Sequence, residues 1–286
     1  MPELPEVETV RRGLAPWMEG QVFAAVKVRV PRLRLPLPDD LGQRLTGRRI
    51  GVLGRRGKYL LVPFEGDEVL VVHLGMSGRM TVNHEPEFAP GRHDHVIFDL
   101  AGGEGHPSTT RIVYNDPRRF GLMALCPADL LETHPLLARM GPEPLDPAFD
   151  GAMLEGALKG RRGPIKGALL DQSVVAGIGN IYACEALYRA GISPRRKAMT
   201  IAGARARRLV EALKSVLEDA ISSGGSSLKD HRQPSGELGY FQHNFAVYGR
   251  AGLECPECTC EIGETGGISR LVQSGRSTFF CPRRQR

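Results

Sequence analysis

Leu4, Val7, Val10, Leu14 and Trp17 recur at helical spacing, so residues 2 to about 20 read as a helix with one apolar stripe. Beyond that point the period shortens. Residues 22 to about 126 break into β-prone runs at 22–30, 49–53, 59–64, 69–73, 95–100, 111–114 and 121–124. Gly, Pro and Asp separate the runs, which argues for an antiparallel sandwich or barrel rather than a parallel βαβ sheet. The segment Pro142-Glu143-Pro144-Leu145-Asp146-Pro147 is rigid and polar, as an interdomain linker should be. Helical patterning returns over 153–158, 167–170, 180–190 and 201–222. Residues 222–239 are rich in Gly, Ser and charge and read as a mobile loop. The expectation is an α+β chain. Residues 1–130 form a helix plus antiparallel β-sandwich, 131–150 a linker, 151–245 a helical domain bearing the 222–239 loop, and 246–286 a small cysteine-bearing module.

Charge and cysteine usage narrow the picture. The formal net charge is +6, which suggests a polyanionic partner, although a solvated basic surface remains open on charge alone. The arginines come in scattered doublets, among them Arg48-Arg49, Arg55-Arg56, Arg118-Arg119, Arg161-Arg162 and Arg195-Arg196. That distribution suits a broad basic face on a folded protein rather than a basic tail. No apolar run reaches membrane-spanning length and no basic-then-apolar signal opens the chain, so a soluble, intracellular (cytoplasmic) protein is expected. Of six cysteines, four (Cys255, Cys258, Cys260 and Cys281) fall in the last 32 residues. In a reducing compartment such a cluster reads as metal ligation before disulfides.

The first six residues, Met1-Pro2-Glu3-Leu4-Pro5-Glu6, carry candidate chemistry. Removal of Met1 would leave a proline amine beside two carboxylates. With a reference pKa of about 7.7–8.0, roughly a quarter or more of an α-amine is neutral and nucleophilic near pH 7.5. A secondary amine also condenses with an aldehydic carbon to a cationic iminium that needs no further protonation. Glu3 and Glu6 share one helix face. Taken alone, the same residues read more readily as a helix start, with proline and acids in the first turn.

Six ordered motifs change that weighting. The opening Met-Pro-Glu-Leu-Pro-Glu-Val-Glu-Thr-Val is followed by Arg-Gly-Lys-Tyr-Leu at 56–60 and His-Leu-Gly-Met-Ser-Gly at 73–78. Asn-Asp-Pro-Arg-Arg-Phe-Gly at 115–121, Gly-Ile-Gly-Asn-Ile-Tyr-Ala at 177–183 and the cysteine module complete the order. Together they closely resemble the bacterial formamidopyrimidine-DNA glycosylase family, over essentially the whole chain.

The resemblance implies a bifunctional glycosylase and abasic-site lyase acting on oxidised and ring-opened purines in double-stranded DNA, as a monomer. Its fold would be a helix plus β-sandwich, then a helix–two-turn–helix domain with a zinc-finger hairpin, with DNA in the cleft between the domains. Pro2 would attack C1′, Glu3 would protonate the sugar-ring oxygen and Glu6 would support the site. Lys58 would act as proton donor and phosphate or base contact. Met76, Arg118 and Phe120 match the trio that fills the void left by an extruded base, since a thioether and a ring can wedge and a guanidinium can bond the orphaned partner. Asn180, Lys166, Arg161 and His93 are implied DNA contacts, and Arg276 would reach the phosphates beside the lesion. The Gly177-Ile178-Gly179-Asn180 turn would offer backbone N–H groups to an anion. The 222–239 loop, including Leu228-Lys229-Asp230 and Gly239-Tyr240-Phe241, would close over the base. Ordinary packing for Met76 and Phe120, and surface placement for Glu6, Lys58 and His93, are the readings these residues have without the family.

The cysteine module departs from the family pattern of two Cys-x2-Cys pairs. Cys255-Pro-Glu-Cys258 supplies the first pair, but Cys281-Pro-Arg-Arg284 ends in arginine, which stays protonated and cannot ligate zinc. Cys260 could replace the missing thiolate, another donor could complete the site, or metal could be held weakly or not at all. One structural zinc ion is the expected cofactor. The nearest alternative function is the related glycosylase for oxidised pyrimidines, which typically has glycine where Leu4 stands. A non-catalytic damaged-DNA-binding protein is the third.

Overall fold

The computed structural model describes residues 2–102, 110–227, 234–258 and 262–286. The chain divides into two compact units, Met1–Ala138 with Ser223–Tyr240, and Arg139–Ser222 with Phe241–Arg286. The boundaries read from the sequence grouped 222–239 with the helical domain, whereas Ser223–Tyr240 belongs to the first unit. Long-range bonds draw it there: Ser226 to Glu6, and the Val82 amide to the Pro234 carbonyl at 3.0 Å.

In the first unit, α1 (Leu4–Met18) buries Leu4, Val7, Val10, Leu14 and Met18 along one face. There follow β1 (Phe23–Val28), the single-turn α2 (Leu41–Leu45), β2 (Gly54–Arg56), β3 (Tyr59–Phe64) and β4 (Glu68–His73). Then come β5 (Arg79–Asn83), β6 (Asp94–Leu100), β7 (Thr110–Asn115) and β8 (Leu122–Pro127). Two four-stranded antiparallel sheets result, ordered β1-β6-β7-β5 and β2-β3-β4-β8. Alternation along β3 sends Leu60, Val62 and Phe64 into the core, which also takes the apolar face of α1 and Phe98, Ile112 and Tyr114 from the other sheet. The strand expected at 49–53 is reduced to isolated bridges, Val22 to Arg49 and Ile50 to Phe64, and the ladder starts at Gly54 instead. The sequence reading passed over α2, which is only five residues long, and β5, whose polar alternation buries Met80 alone.

The second unit contains α3 (Gly151–Leu158), α4 (Ile165–Leu170), α5 (Asn180–Arg189) and α6 (Ala204–Ser222), then the short α7 (Ile262–Thr265) and the hairpin β9 (Ser269–Gln273)–β10 (Arg276–Phe280). Asp150 caps α3 by accepting the Met153 amide at 2.9 Å. The buried Glu185 of α5 accepts the amides of Ala246, Val247 and Tyr248 at 2.9, 3.0 and 2.8 Å, fixing the chain that leads into the hairpin. The hairpin turns at Ser274 and Gly275, with φ of 51° and 72°, the paired left-handed conformation of a tight two-residue turn. Cys184, Tyr188, Val247 and Ile268 pack with Phe279 of the hairpin. Among the described residues, no helix is long and apolar enough to cross a membrane.

Candidate active site and nucleic-acid interface

The start of α1 assembles the first part of the site. Glu3, 3 % exposed, has extended backbone just before the helix, and its amide donates to Glu6 Oε2 at 2.8 Å. Glu6, 2 % exposed, uses Oε1 to accept both the amide and the hydroxyl of Ser226 at 2.8 and 2.9 Å. A carboxylate this buried is tolerable because N–H and O–H donors and the positive helix end replace its lost water. Glu6 is therefore no surface residue; it ties α1 to the segment after α6. Gly225, with φ of 80°, lets that segment approach, since a Cβ there would lie 3.3 Å from the Glu6 side chain. Pro2 is buried beside these groups in sequence.

Lys58 is 7 % exposed in the β2–β3 turn, directly after Gly57 at φ 55°, so it too is not the solvated lysine expected of a strand start. His73 faces Tyr59 across β3 and β4, with ring centroids 4.9 Å apart, and its Nδ1 accepts the Gly75 amide at 3.0 Å. Burial, then the charges of Lys58 and Arg34, push its pKa down to about 4. His73 is thus neutral near pH 7 and keeps one donor, Nε2–H. In the sequence His73 stands only as the first residue of the 73–78 motif, and Arg34 carries no signal. The signal for His73 was its place immediately before the Leu-Gly-Met-Ser-Gly turn.

Met76 sits in the β4–β5 connection and Arg118 and Phe120 in the β7–β8 connection. Met76 and Phe120 are 40 % and 45 % exposed, which removes the core-packing reading. The Arg118 guanidinium lies 4.8 Å from the Phe120 ring centroid. His93 is half-buried, with its ring 6.2 Å from that of His95 and its carbonyl accepting the Asp116 amide.

In the second unit, Asn180 opens α5 and donates from Nδ2 to the Ser277 carbonyl at 3.0 Å. Lys166 is fully buried and donates to the same carbonyl at 3.2 Å and to Thr278 Oγ1 at 2.7 Å. Both implied DNA contacts therefore converge on the residue after Arg276, which itself is exposed. Arg161 is half-exposed and pairs with Asp171 at 2.8 Å. In the turn before α5 the Gly177 amide, expected to face an anion, is taken by Gln172 Oε1 at 2.9 Å.

Cys255, Cys258 and Cys281 bring their sulfurs within 4.8 Å of one another, a metal-binding arrangement. Cys260 lies outside the described residues, as do Leu228, Lys229 and Asp230 of the loop. Structural zinc takes four protein ligands. The described donor set supplies three, and Cys258 is disulfide-bonded, so it could ligate only after reduction. Arg284, at the family's fourth-ligand position, instead pairs with Glu257 at 2.6 Å and lies over the Tyr188 ring at 5.0 Å. The three sulfurs thus fit a thiophilic ion in part, with a fixed cation close by.

Residues 1–123 match the family described as Formamidopyrimidine-DNA glycosylase N-terminal domain, and residues 140–232 the Formamidopyrimidine-DNA glycosylase H2TH domain. The formamidopyrimidine-DNA glycosylases of Rhodospirillum rubrum and Rhodospirillum centenum are 58 % and 57 % identical, each alignment covering 100 % of both chains. Among solved structures, the MutM (Fpg) protein of Thermus thermophilus is 43 % identical with a TM-score of 0.83, covering 99 % of this chain and 98 % of that one. Lactococcus lactis Fpg in complex with abasic-site DNA is 33 % identical with a TM-score of 0.87, covering 99 % of each. With both domains matched and full-length relatives above half identity, the chain belongs to the formamidopyrimidine-DNA glycosylase family.

Proposed function

We propose that this chain excises oxidised and ring-opened purines, 8-oxoguanine and formamidopyrimidines, from double-stranded DNA and then cleaves the abasic site by β- and δ-elimination. The observation that carries the reading is the buried Glu3–Glu6 pair directly after Pro2, held on a rigid helix start in a chain of this family. After loss of Met1, the Pro2 nitrogen attacks C1′ as the bond to the base breaks, its electron pair leaving with the base. The leaving base takes up the proton that the Pro2 nitrogen loses; Glu3 protonates the ring oxygen, and the nitrogen lone pair then expels that oxygen to open the ring and give the iminium. Loss of a C2′ proton then expels the 3′ phosphate, and a second elimination expels the 5′ phosphate. Glu6 holds the Glu3 backbone and Ser226 in register. Lys58, with neutral His73 beside it, supplies a cation and an N–H donor at the same end of the sandwich.

Met76, Arg118 and Phe120 enter the stack where the base leaves. His93, Arg161, Lys166, Asn180 and Arg276 contribute the phosphate-binding side, Lys166 and Asn180 through the hairpin carbonyl they share. The 222–239 loop closes over the extruded base. Cys255, Cys258 and Cys281 would hold a zinc ion, which when bound supplies structural closure of the hairpin and no chemistry at the lesion.

Borohydride trapping on abasic DNA with peptide mapping tests this. A covalent adduct at Pro2 is expected, and its absence leaves the non-catalytic damaged-DNA binder. A second reading, excision of oxidised pyrimidines, draws on a Lactococcus lactis Fpg structure in complex with DNA containing an oxidised pyrimidine. Comparing excision of 8-oxoguanine and thymine glycol separates the two; faster removal of thymine glycol would overturn the purine assignment.

A further inference from the structure

The two connections that carry Met76, Arg118 and Phe120 run between the same two sheets. β4 and β8 are neighbours in one sheet, and β5 and β7 in the other, so the β4–β5 and β7–β8 crossings lie side by side. One buried side chain joins them. Asp116 is 0 % exposed and belongs to the second crossing. Its Oδ1 accepts the hydroxyl of Ser77, in the first crossing, at 2.6 Å. Its Oδ2 accepts the Gly121 amide at 2.8 Å and the Tyr114 hydroxyl at 3.3 Å. Ser77 Oγ in turn accepts the Arg118 amide at 3.2 Å, closing a circuit through both crossings.

The Asp116 main chain is held as firmly. Its amide donates to the His93 carbonyl at 3.0 Å, and its carbonyl accepts His95 Nε2 at 2.9 Å and the Arg119 amide at 3.2 Å. Arg119 is left at φ 54°, a left-handed conformation that a non-glycine residue adopts at a cost. The kink sets off Phe120 from the strand that follows. Steric fit completes the lock, because a Cβ at Gly75 would collide with the Phe120–Gly121 backbone, and one at Gly121 with the Tyr114 hydroxyl. Neither crossing can shift without the other.

We propose that Asp116 is a positioning residue for base displacement: its carboxylate ties Ser77 to Gly121, so that Met76, Arg118 and Phe120 are presented to the DNA as one rigid wedge. The inference rests on the glycosylase reading and adds a residue that touches neither the lesion nor the reacting atoms. An aspartate is suited to the place because an ionised carboxylate only accepts, and the groups facing it are O–H and N–H donors. Asparagine would turn an NH2 toward one of those donors.

The test compares wild type, Asp116→Asn and Ser77→Ala on two substrates. One is duplex DNA with 8-oxoguanine opposite cytosine, which must be unstacked. The other is a single-stranded abasic site, which needs no extrusion. Loss of wedge geometry is expected to lower single-turnover excision from the duplex by about tenfold to a hundredfold in Asp116→Asn. Trapping on the single strand should stay within about twofold. A 2-aminopurine reporter beside the lesion should show a slowed unstacking phase. Equal losses on both substrates, or an unchanged duplex rate, would overturn the proposal. If Asp116→Asn does not fold, Ser77→Ala decides alone, because it removes the inter-crossing bond and leaves the Gly121 and Tyr114 bonds. A wild type that traps on neither substrate would instead refute the glycosylase reading.

Discussion

Glu6 shows how much one side chain can hold. Three donors, the Glu3 amide and the amide and hydroxyl of Ser226, end on its two oxygens away from water. Glu6→Ala should leave them unpaired and destabilise the first unit by about 3 kcal/mol, measured by denaturant unfolding, with slower trapping at Pro2. His73 gives a pH signature. Burial and its cationic neighbours hold its pKa near 4, against 6.5 in the unfolded chain. Between those values the unfolded state binds the extra proton, so stability should fall as pH drops from 6.5 towards 4, by at most about 3 kcal/mol. Glu8 acts lower. Burial opposes its charge, but hydrogen bonds from Arg11 and Arg12 and the charges of Arg11 and Arg55 bring it down to about 2, so its contribution is lost only below pH 4.5. His95 is also lowered, chiefly by burial. A melting profile of His73→Gln that keeps the full wild-type slope between pH 6.5 and about 4 would contradict the assignment to His73.

At the scale of elements, termini and turns matter more than helix interiors. The Asp150 cap of α3 should be worth about 1 kcal/mol in Asp150→Ala, read as a shift of the unfolding midpoint at unchanged slope. The β9–β10 hairpin depends on its bracing: α5 grips it through Asn180 and α4 through Lys166, both at Ser277. Much of this was legible in the sequence. The stripe on α1 and the boundaries of β3 follow from periodicity, because one buried face suffices to set each. That the strand expected at 49–53 would shrink to isolated bridges was not legible, since its failure depends on which strands pair across the sheet. The same holds for β5, whose polar residues become a strand only because β7 lies alongside.

For the whole molecule, a net charge of +6 predicts electrostatic binding to DNA. Affinity for a duplex with an abasic analogue should fall linearly with salt on logarithmic axes, and Arg276→Ala should lessen the slope by about 0.9, the loss of one phosphate contact. The cysteine module yields a further expectation. Reduced protein should carry up to one zinc per chain, and a chelator should lower the melting temperature of the form that holds it. Metal content that stays at one per chain in Cys260→Ser would exclude that residue as the fourth ligand.

The sequence by itself determined the family, the amine-and-carboxylate motif at the N-terminus, the turn-rich motifs that bear Met76, Arg118 and Phe120, and the broken ligand pattern at Arg284. These are local: each is a residue type at a fixed spacing, and spacing survives without a fold. Tertiary structure decided burial and partnership. Only packing shows that Glu6 meets Ser226 across 220 positions of chain, that Lys166 is enclosed beneath the hairpin, and that Asp116 joins two loops 39 residues apart. Such contacts are set by strand order and sheet pairing, long-range choices that no window of sequence contains. Pro2 is the residue where both levels meet: the chemistry proposed for it is read from the first six residues, and its burial comes only with the fold.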